Sequence, residues 1–317
     1  MKAGSKIITV GLSPAWDMTC RLEAIDWGEH KTISGQISRP AGKALNISRA
    51  LAWMGIKSSA AGLWGRDDYE QMLKALKPLR GLIKIKMTAV AGSTRRNITI
   101  IDTAKNREMH LRSSSELASK SALRKLKADL QTVINTNSIC VFAGAMPNEE
   151  LFADAVRIIN FCRRQGAKIV LDSSGRALRE IVETNAVWMI KPNVEELREL
   201  LGEQIKYNLA DLARAGNKLL GKVDIVLISR GKKGAIAVTK EGAWQGRIAA
   251  AESRVLSTVG CGDYLLAGFL NALADNAGFD TALKQALKAA TAKAWDWTER
   301  KDWLDVKRQI KVEVSRI

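Results

Sequence analysis

The feature that most limits how this chain can fold is a regular exchange of short β-rich runs with helical stretches. Apolar runs fall at Ile7–Leu12, Ile139–Phe142, Lys168–Leu171, Val187–Ile190, Asp224–Ile228 and Ala235–Thr239. Between them apolar residues recur at helical spacing around Leu45–Met54, Tyr69–Leu79, Ser121–Ile134, Glu150–Gln165, Leu209–Leu220, Leu265–Ala274 and Thr281–Trp297. A strand followed by a helix, repeated, is the signature of an α/β protein: a central, mostly parallel sheet with helices on both faces. Two stretches break the rhythm. Thr32–Ser38 alternates like a half-exposed strand, and residues 86–112 read as a hairpin, with Asn97–Ile101 and Glu108–Leu111 flanking a turn at Ala104, Lys105 and Asn106. The expectation is one large α/β domain from residues 1–14, 39–85 and 113–317, carrying a small β-sheet lid from residues 15–38 and 86–112.

Composition narrows the function. The chain has 317 residues, 46% of them hydrophobic, enough to bury a large core. No apolar h-region follows the N-terminus, and no later segment is apolar for 18 residues, so a cytoplasmic protein without a membrane partner is expected. Cys20, Cys140, Cys162 and Cys261 lie far apart and only two histidines occur, which excludes the usual zinc spacings and argues against a disulfide framework. The formal charge of +17 invites a polyanion-binding hypothesis. Most basic residues, however, are mixed with acids, and no helix-turn-helix or RNA-binding signature occurs, so nucleic acid is not expected as the partner. The exception is Lys74 to Ile101, which carries seven cations and no acid. It reads either as a solvated face or as a field that gathers small anions.

Polar residues stand where such a sheet binds ligands. Asp172, then Lys191 and Asn193, then Ser229 each follow an apolar strand; the carboxyl ends of strands are the binding edge of open α/β sheets. Asn193 and Glu196 are three apart at a helix start, where both can face a magnesium-bound phosphate through water or simply cap the helix. Thr258-Val259-Gly260-Cys261-Gly262-Asp263 runs into the apolar stretch Tyr264–Leu270. Two glycines in three positions let backbone N–H groups converge at a positive helix end, where an anion is stabilised. Asp263 sets a carboxylate beside that hole, which suits phosphoryl transfer; the same residues also read as a glycine turn with a helix-capping Asp. A carboxylate and a thiol at that helix end are expected to be held in their charged forms.

These motifs resemble the ribokinase-like, or PfkB, carbohydrate kinases. The resemblance rests on Ala41-Gly42-Lys43-Ala44-Leu45-Asn46-Ile47-Ser48 and on Thr258–Leu270. Shorter matches lie between them, in order, at Leu171–Gly175, Lys191–Glu196 and Ser229–Gly234. Ser13–Asp17 and Thr94–Ile98 are similar to the branch containing 1-phosphofructokinase and tagatose-6-phosphate kinase. The resemblance implies a ribokinase-like fold and ATP-dependent transfer of a phosphoryl group to a sugar or sugar phosphate, with Mg2+. It assigns Asp263 as base and Gly260, Cys261 and Gly262 as the anion hole. Asp17, Gly42, Lys43, Asn46 and Arg95 become acceptor contacts. Lys191, Ser229, Gly231 and Gly234 become nucleotide contacts, while Asn193 and Glu196 organise the metal. It also permits a homodimer through the lid.

The chain departs from the family pattern at several positions. Ala41 and Ala44 stand where glycine is usual, Cys261 where alanine is usual, and Ala145 where a phosphate-binding serine is usual. Thr32 stands near a position often held by arginine. The kinase reading survives these changes. The acceptor is either a sugar phosphate or an unphosphorylated sugar, and a catalytically silent sugar-binding regulator is the remaining alternative.

Overall fold

A computed structural model describes residues 6–105, 107–249 and 255–317; Asn106, in the expected lid turn, lies outside it. The strands, in chain order, are β1 (Lys6–Gly11), β2 (Ala15–Leu22), β3 (Gly35–Ala41), β4 (Ser58–Gly65), β5 (Ile83–Val90), β6 (Arg96–Asp102) and β7 (Arg107–Leu111). They continue with β8 (Ser138–Ala143), β9 (Lys168–Asp172), β10 (Met189–Ile190), β11 (Ile225–Ser229), β12 (Ala235–Thr239), β13 (Gly242–Ile248) and β14 (Val312–Arg316). Ten of them form one sheet in the order β14-β13-β12-β11-β10-β9-β8-β1-β4-β5. From β11 to β5 every pairing is parallel, and β12, β13 and β14 close that end as an antiparallel edge.

The parallel strands are apolar on both faces because helices cover both. Ile8, Val10, Cys140 and Phe142 point to the layer that holds helices Lys120–Gln131, Glu149–Arg164, Gly175–Glu183, Val194–Leu201 and Leu209–Lys218. Ile7, Ile139 and Val141 point to the other, where Lys43–Trp53, Cys261–Ala274 and Phe279–Ala294 pack. Helix Cys261–Ala274 is buried on nearly every side, with Leu266, Ala267, Phe269 and Leu270 fully covered. A Phe269→Ala cavity there costs about 3–5 kcal/mol, so the amino end of this helix is held by deep packing.

The lid is a separate four-stranded sheet, ordered β3-β2-β6-β7. Its centre is a parallel pairing of β2 with β6, which joins the two excursions of the chain. Its boundary differs from the expected one. Residues 86–90 are the end of β5, paired with β4 in the large sheet, so the second lid segment opens at Arg96. Trp16 on β2 roots the lid through an indole N–H that donates to Asp68 at 2.7 Å; Thr94 donates to the same carboxylate from its hydroxyl and its backbone N–H. Arg39 on β3 reaches Glu299 at 2.7 Å. No helix among the described residues is long and apolar enough to cross a membrane.

Candidate active site

Two helix amino ends meet above the carboxyl edge of the sheet. Gly42 precedes Lys43–Trp53 with φ 106°, a conformation that favours glycine, and a Cβ there would press on Pro14 Cα at 3.2 Å. Gly260 precedes Cys261–Ala274 with φ 79°. Lys43 and Asn46 are three apart and so share one face of the first helix; Asp263 lies in the first turn of the second. Asn46 Nδ2 donates to Asp263 Oδ2 at 2.9 Å.

Below them sits a residue to which sequence reasoning gave no role. Asp172, at the end of β9 and fully buried, accepts from Lys43 Nζ at 3.0 Å and faces Lys191 Nζ at 3.4 Å. Its Oδ2 has no partner among the described residues. Lys191 Nζ in turn lies 3.4 Å from where a Cβ on Gly262 would stand. Lys43, Asn46, Asp172, Lys191, Gly262 and Asp263 therefore form one cluster, drawn from four separate stretches of chain. Only its strand-end position hinted at Asp172.

The electrostatics of the cluster are not those of an exposed helix end. Burial raises the Asp263 carboxyl to about 7, and the negative charge of Asp172 adds to the rise; the Asn46 hydrogen bond, Lys43 and Lys191 act in the opposite sense. This corrects the expectation of a carboxylate ionised well below neutrality, because desolvation outweighs the helix end. Burial pulls the Lys43 ammonium down, but Asp172, Asp263 and Glu196 overcome it and leave its pKa raised. Cys261 is corrected likewise. Burial pushes its thiol to about 11, against the pull of Lys293, and its Sγ lies 3.6 Å from the Ser257 carbonyl oxygen. It is not a low-pKa thiol.

Asp17 lies on the lid, and Arg95 immediately precedes its second segment. Asn97, opposite Asp17 in the β2–β6 register, donates to Asp17 Oδ1 at 2.8 Å; its own Oδ1 is buried and without a partner among the described residues. Asn97 was not singled out from sequence, although it stands in the Thr94–Ile98 stretch. Arg95 donates to the carbonyls of Pro14 (3.1 Å), Ser113 (2.7 Å) and Ser13 (3.1 Å). That uses three of its five donors and leaves two on a fixed guanidinium.

Asn193, Glu196 and Ser229 form a third group. Asn193 Oδ1 accepts from the Glu196 N–H at 2.8 Å, and Glu196 Oε2 accepts from the Asn193 N–H at 2.9 Å, a capping box at the start of Val194–Leu201. Of the two readings open in the sequence, capping is the one these contacts satisfy, and it takes up Glu196 Oε2, while Oε1 has no hydrogen bond among the described residues. Ser229 bridges to Asn193 and donates its N–H to the Pro192 carbonyl at 2.9 Å. Gly231 and Gly234, with φ 56° and 88°, shape the turn that follows.

The sequence profile described as "pfkB family carbohydrate kinase" matches residues 8–294. A 1-phosphofructokinase from Haemophilus influenzae is 30% identical over 297 residues, covering 92% of this chain and 89% of that protein. A tagatose-6-phosphate kinase from Staphylococcus epidermidis is 26% identical over 288 residues, covering 88% and 89%. The crystal structure of phosphofructokinase-2 from Escherichia coli in complex with fructose-6-phosphate superposes with a TM-score of 0.87 at 22% identity, over 96% of this chain and 98% of that one. At that identity the superposition speaks for the fold.

Proposed function

The chain belongs to the pfkB family of carbohydrate kinases, and on that premise we propose that it transfers the γ-phosphoryl group of ATP to a hydroxyl of a sugar phosphate, with Asp263 as the base. The observation that carries this is the buried Asp263 carboxyl, hydrogen-bonded to Asn46 in the first turn of Cys261–Ala274. Raised to about 7, it takes a proton from an acceptor hydroxyl far more readily than an ordinary carboxylate does. The backbone N–H groups at Gly260 and Gly262 receive the transferring phosphoryl on this reading, whereas the Cys261 N–H already donates to the Thr258 carbonyl at 3.3 Å. Lys43 and Lys191, gathered on Asp172, supply positive charge beside it. Gly42, Lys43, Asn46 and Asp17 hold the sugar, while Lys191, Ser229, Gly231 and Gly234 hold the nucleotide.

Magnesium fits this site as a passenger of the nucleotide. Among the described residues no group of three or more His, Cys, Asp or Glu is placed to hold an ion. Mg2+ keeps most of its waters and takes few protein oxygens, and Asn193 with the free Glu196 Oε1 suits contact through those waters. Its chemistry there is to neutralise charge on the ATP phosphates. ATP as donor fits a cytoplasmic enzyme. The exposed Ile33, Ile37, Met109 and Leu111 of the lid are 41–48% accessible and offer an apolar surface for a second copy.

A neutral sugar as acceptor is favoured by one observation: three of the Arg95 donors are already spent on carbonyls. ATP consumption across a panel of sugars and sugar phosphates decides between the readings. The expected result is turnover with a hexose phosphate such as fructose 1-phosphate, fructose 6-phosphate or tagatose 6-phosphate. Turnover only with neutral sugars moves the enzyme to the fructokinase side, and no acceptor-dependent turnover at all makes it a silent binder.

A further inference from the structure

The antiparallel edge of the large sheet carries a cationic groove on the face turned away from Asp263. Trp244, Ile248, Val312 and Val314 pack into the layer of helices Cys261–Ala274 and Phe279–Ala294. Side chains alternate along a strand, so Gln245 and Arg247, with their cross-strand partners Ser315 and Glu313, face the opposite side. There they join Arg230, Lys232 and Lys233 around a groove of about 590 Å3 that Ile248 and Val314, at the sheet edge, also border. Four cations meet one lining acid among the described residues, Glu313, which is held by Arg247 at 2.8 Å.

The cations are organised. Lys233 sits 4.5 Å and Arg230 5.9 Å from the ring centroid of Tyr207, whose hydroxyl donates to the Arg230 carbonyl at 2.9 Å. Arg230 Nε is buried without an acceptor among the described residues, an N–H that an incoming anion oxygen can satisfy. Folding has therefore gathered like charges and left a donor unmet, at a place the transfer reaction does not use.

We propose that this groove binds a second, compact phosphate-bearing anion, distinct from the nucleotide at the catalytic centre. The recess accommodates a small molecule, and the Tyr207 face that could stack a base is covered by Lys233, so a multiply charged phosphate compound is favoured over nucleic acid. Lys232 and Lys233 ride on the same turn as Gly231 and Gly234. Given the nucleotide role proposed for that turn, occupancy here also alters the apparent KM for ATP.

The probe is pyrophosphate, titrated calorimetrically at low ionic strength into enzyme saturated with a non-hydrolysable ATP analogue, so that the catalytic phosphate site is filled. One binding event is expected in the wild type. Paired Lys232→Gln and Arg247→Gln should weaken it by about tenfold, the loss of two charge-assisted contacts. Glu313→Gln, which removes the one lining acid, should tighten it. Lys77→Gln with Arg80→Gln changes the net charge equally but lies elsewhere, and should leave it alone. Equal weakening by that control pair, or no binding beside the analogue, overturns the site. Because the primary readout is taken without turnover, its failure is separate from failure of the kinase reading. A single-stranded oligonucleotide that binds the groove more tightly than pyrophosphate overturns the small-ligand assignment.

Discussion

Asn46 Nδ2 donates to Asp263 Oδ2 across 2.9 Å, joining the first turns of two helices that lie 217 residues apart in the chain. The contact engages Oδ2, and on the proposed reading the other oxygen, Oδ1, is the one that meets an acceptor hydroxyl. The other groups of the cluster are arranged about this pair.

Asp263→Asn keeps the size and the Asn46 contact geometry but cannot take a proton. Turnover should fall by about 10²- to 10⁴-fold, with ATP affinity nearly unchanged. Steady-state kinetics and nucleotide titration check this; near-normal turnover removes Asp263 from the mechanism.

The same carboxyl makes stability depend on pH. Its folded pKa, about 7, lies above the ordinary value of 3.8, so the folded state prefers the protonated form. That contribution is complete at low pH and is lost as pH rises through 7. The unliganded Asp263→Asn variant should therefore gain melting temperature relative to wild type at pH 8.5, with a smaller gain at pH 5. A pH-independent difference contradicts the buried, raised carboxyl.

Asp172→Asn removes the negative charge that helps to raise Asp263 and frees two lysines that lower it. Both effects have the same sign. The acidic limb of kcat/KM, expected near pH 7 in the wild type, should shift to lower pH. A limb that stays put, or moves up, separates Asp172 from the base.

The Cys261 thiol, raised to about 11 by burial, should resist iodoacetamide at pH 7, and Cys261→Ala should stay active. Rapid inactivation that ATP prevents and the alanine variant escapes shows instead a reactive thiol at the helix end.

Arg95→Ala should lower kcat/KM for a sugar phosphate far more than for its unphosphorylated parent, because only the former has a charge to lose. Losing the contacts to Ser13, Pro14 and Ser113 loosens the lid for both acceptors equally. An equal loss for both therefore assigns Arg95 to the lid root alone.

The parts legible in the sequence were contiguous. β1, β8, β9, β11 and β12 announce themselves as branched apolar runs, and Gly260–Asp263 and Gly42–Asn46 each place their chemistry within five residues. β4 reads Ser-Ser-Ala-Ala-Gly-Leu-Trp-Gly, too small and too poor in branched residues to read as a strand, although all eight are buried. β5 is a sheet edge whose lysines at 84 and 86 mimic a lid strand, and this misplaced the boundary at 86. Asp172 could be seen only as a strand end, because Lys43 stands 129 residues away. The Asn193–Glu196 spacing suits a cap and a metal site alike, and the backbone contacts were needed to show what those side chains hold.

The parallel pairing of β2 with β6 has an evolutionary consequence. It makes one sheet from two insertions whose facing residues, Asp17 and Asn97, are 80 positions apart. Either insertion alone is a two-stranded ribbon, marginal in water and with a bare edge. Neither can be acquired, discarded or transplanted singly without exposing the other. The side chains proposed to meet the acceptor are divided in the same way, Asp17 on one insertion and Arg95 at the foot of the other. A recombination break point between residues 41 and 94 would thus join one lineage's Asp17 to another's Asn97, and it would cut the ten-stranded sheet as well, because β4 and β5 lie between the two insertions.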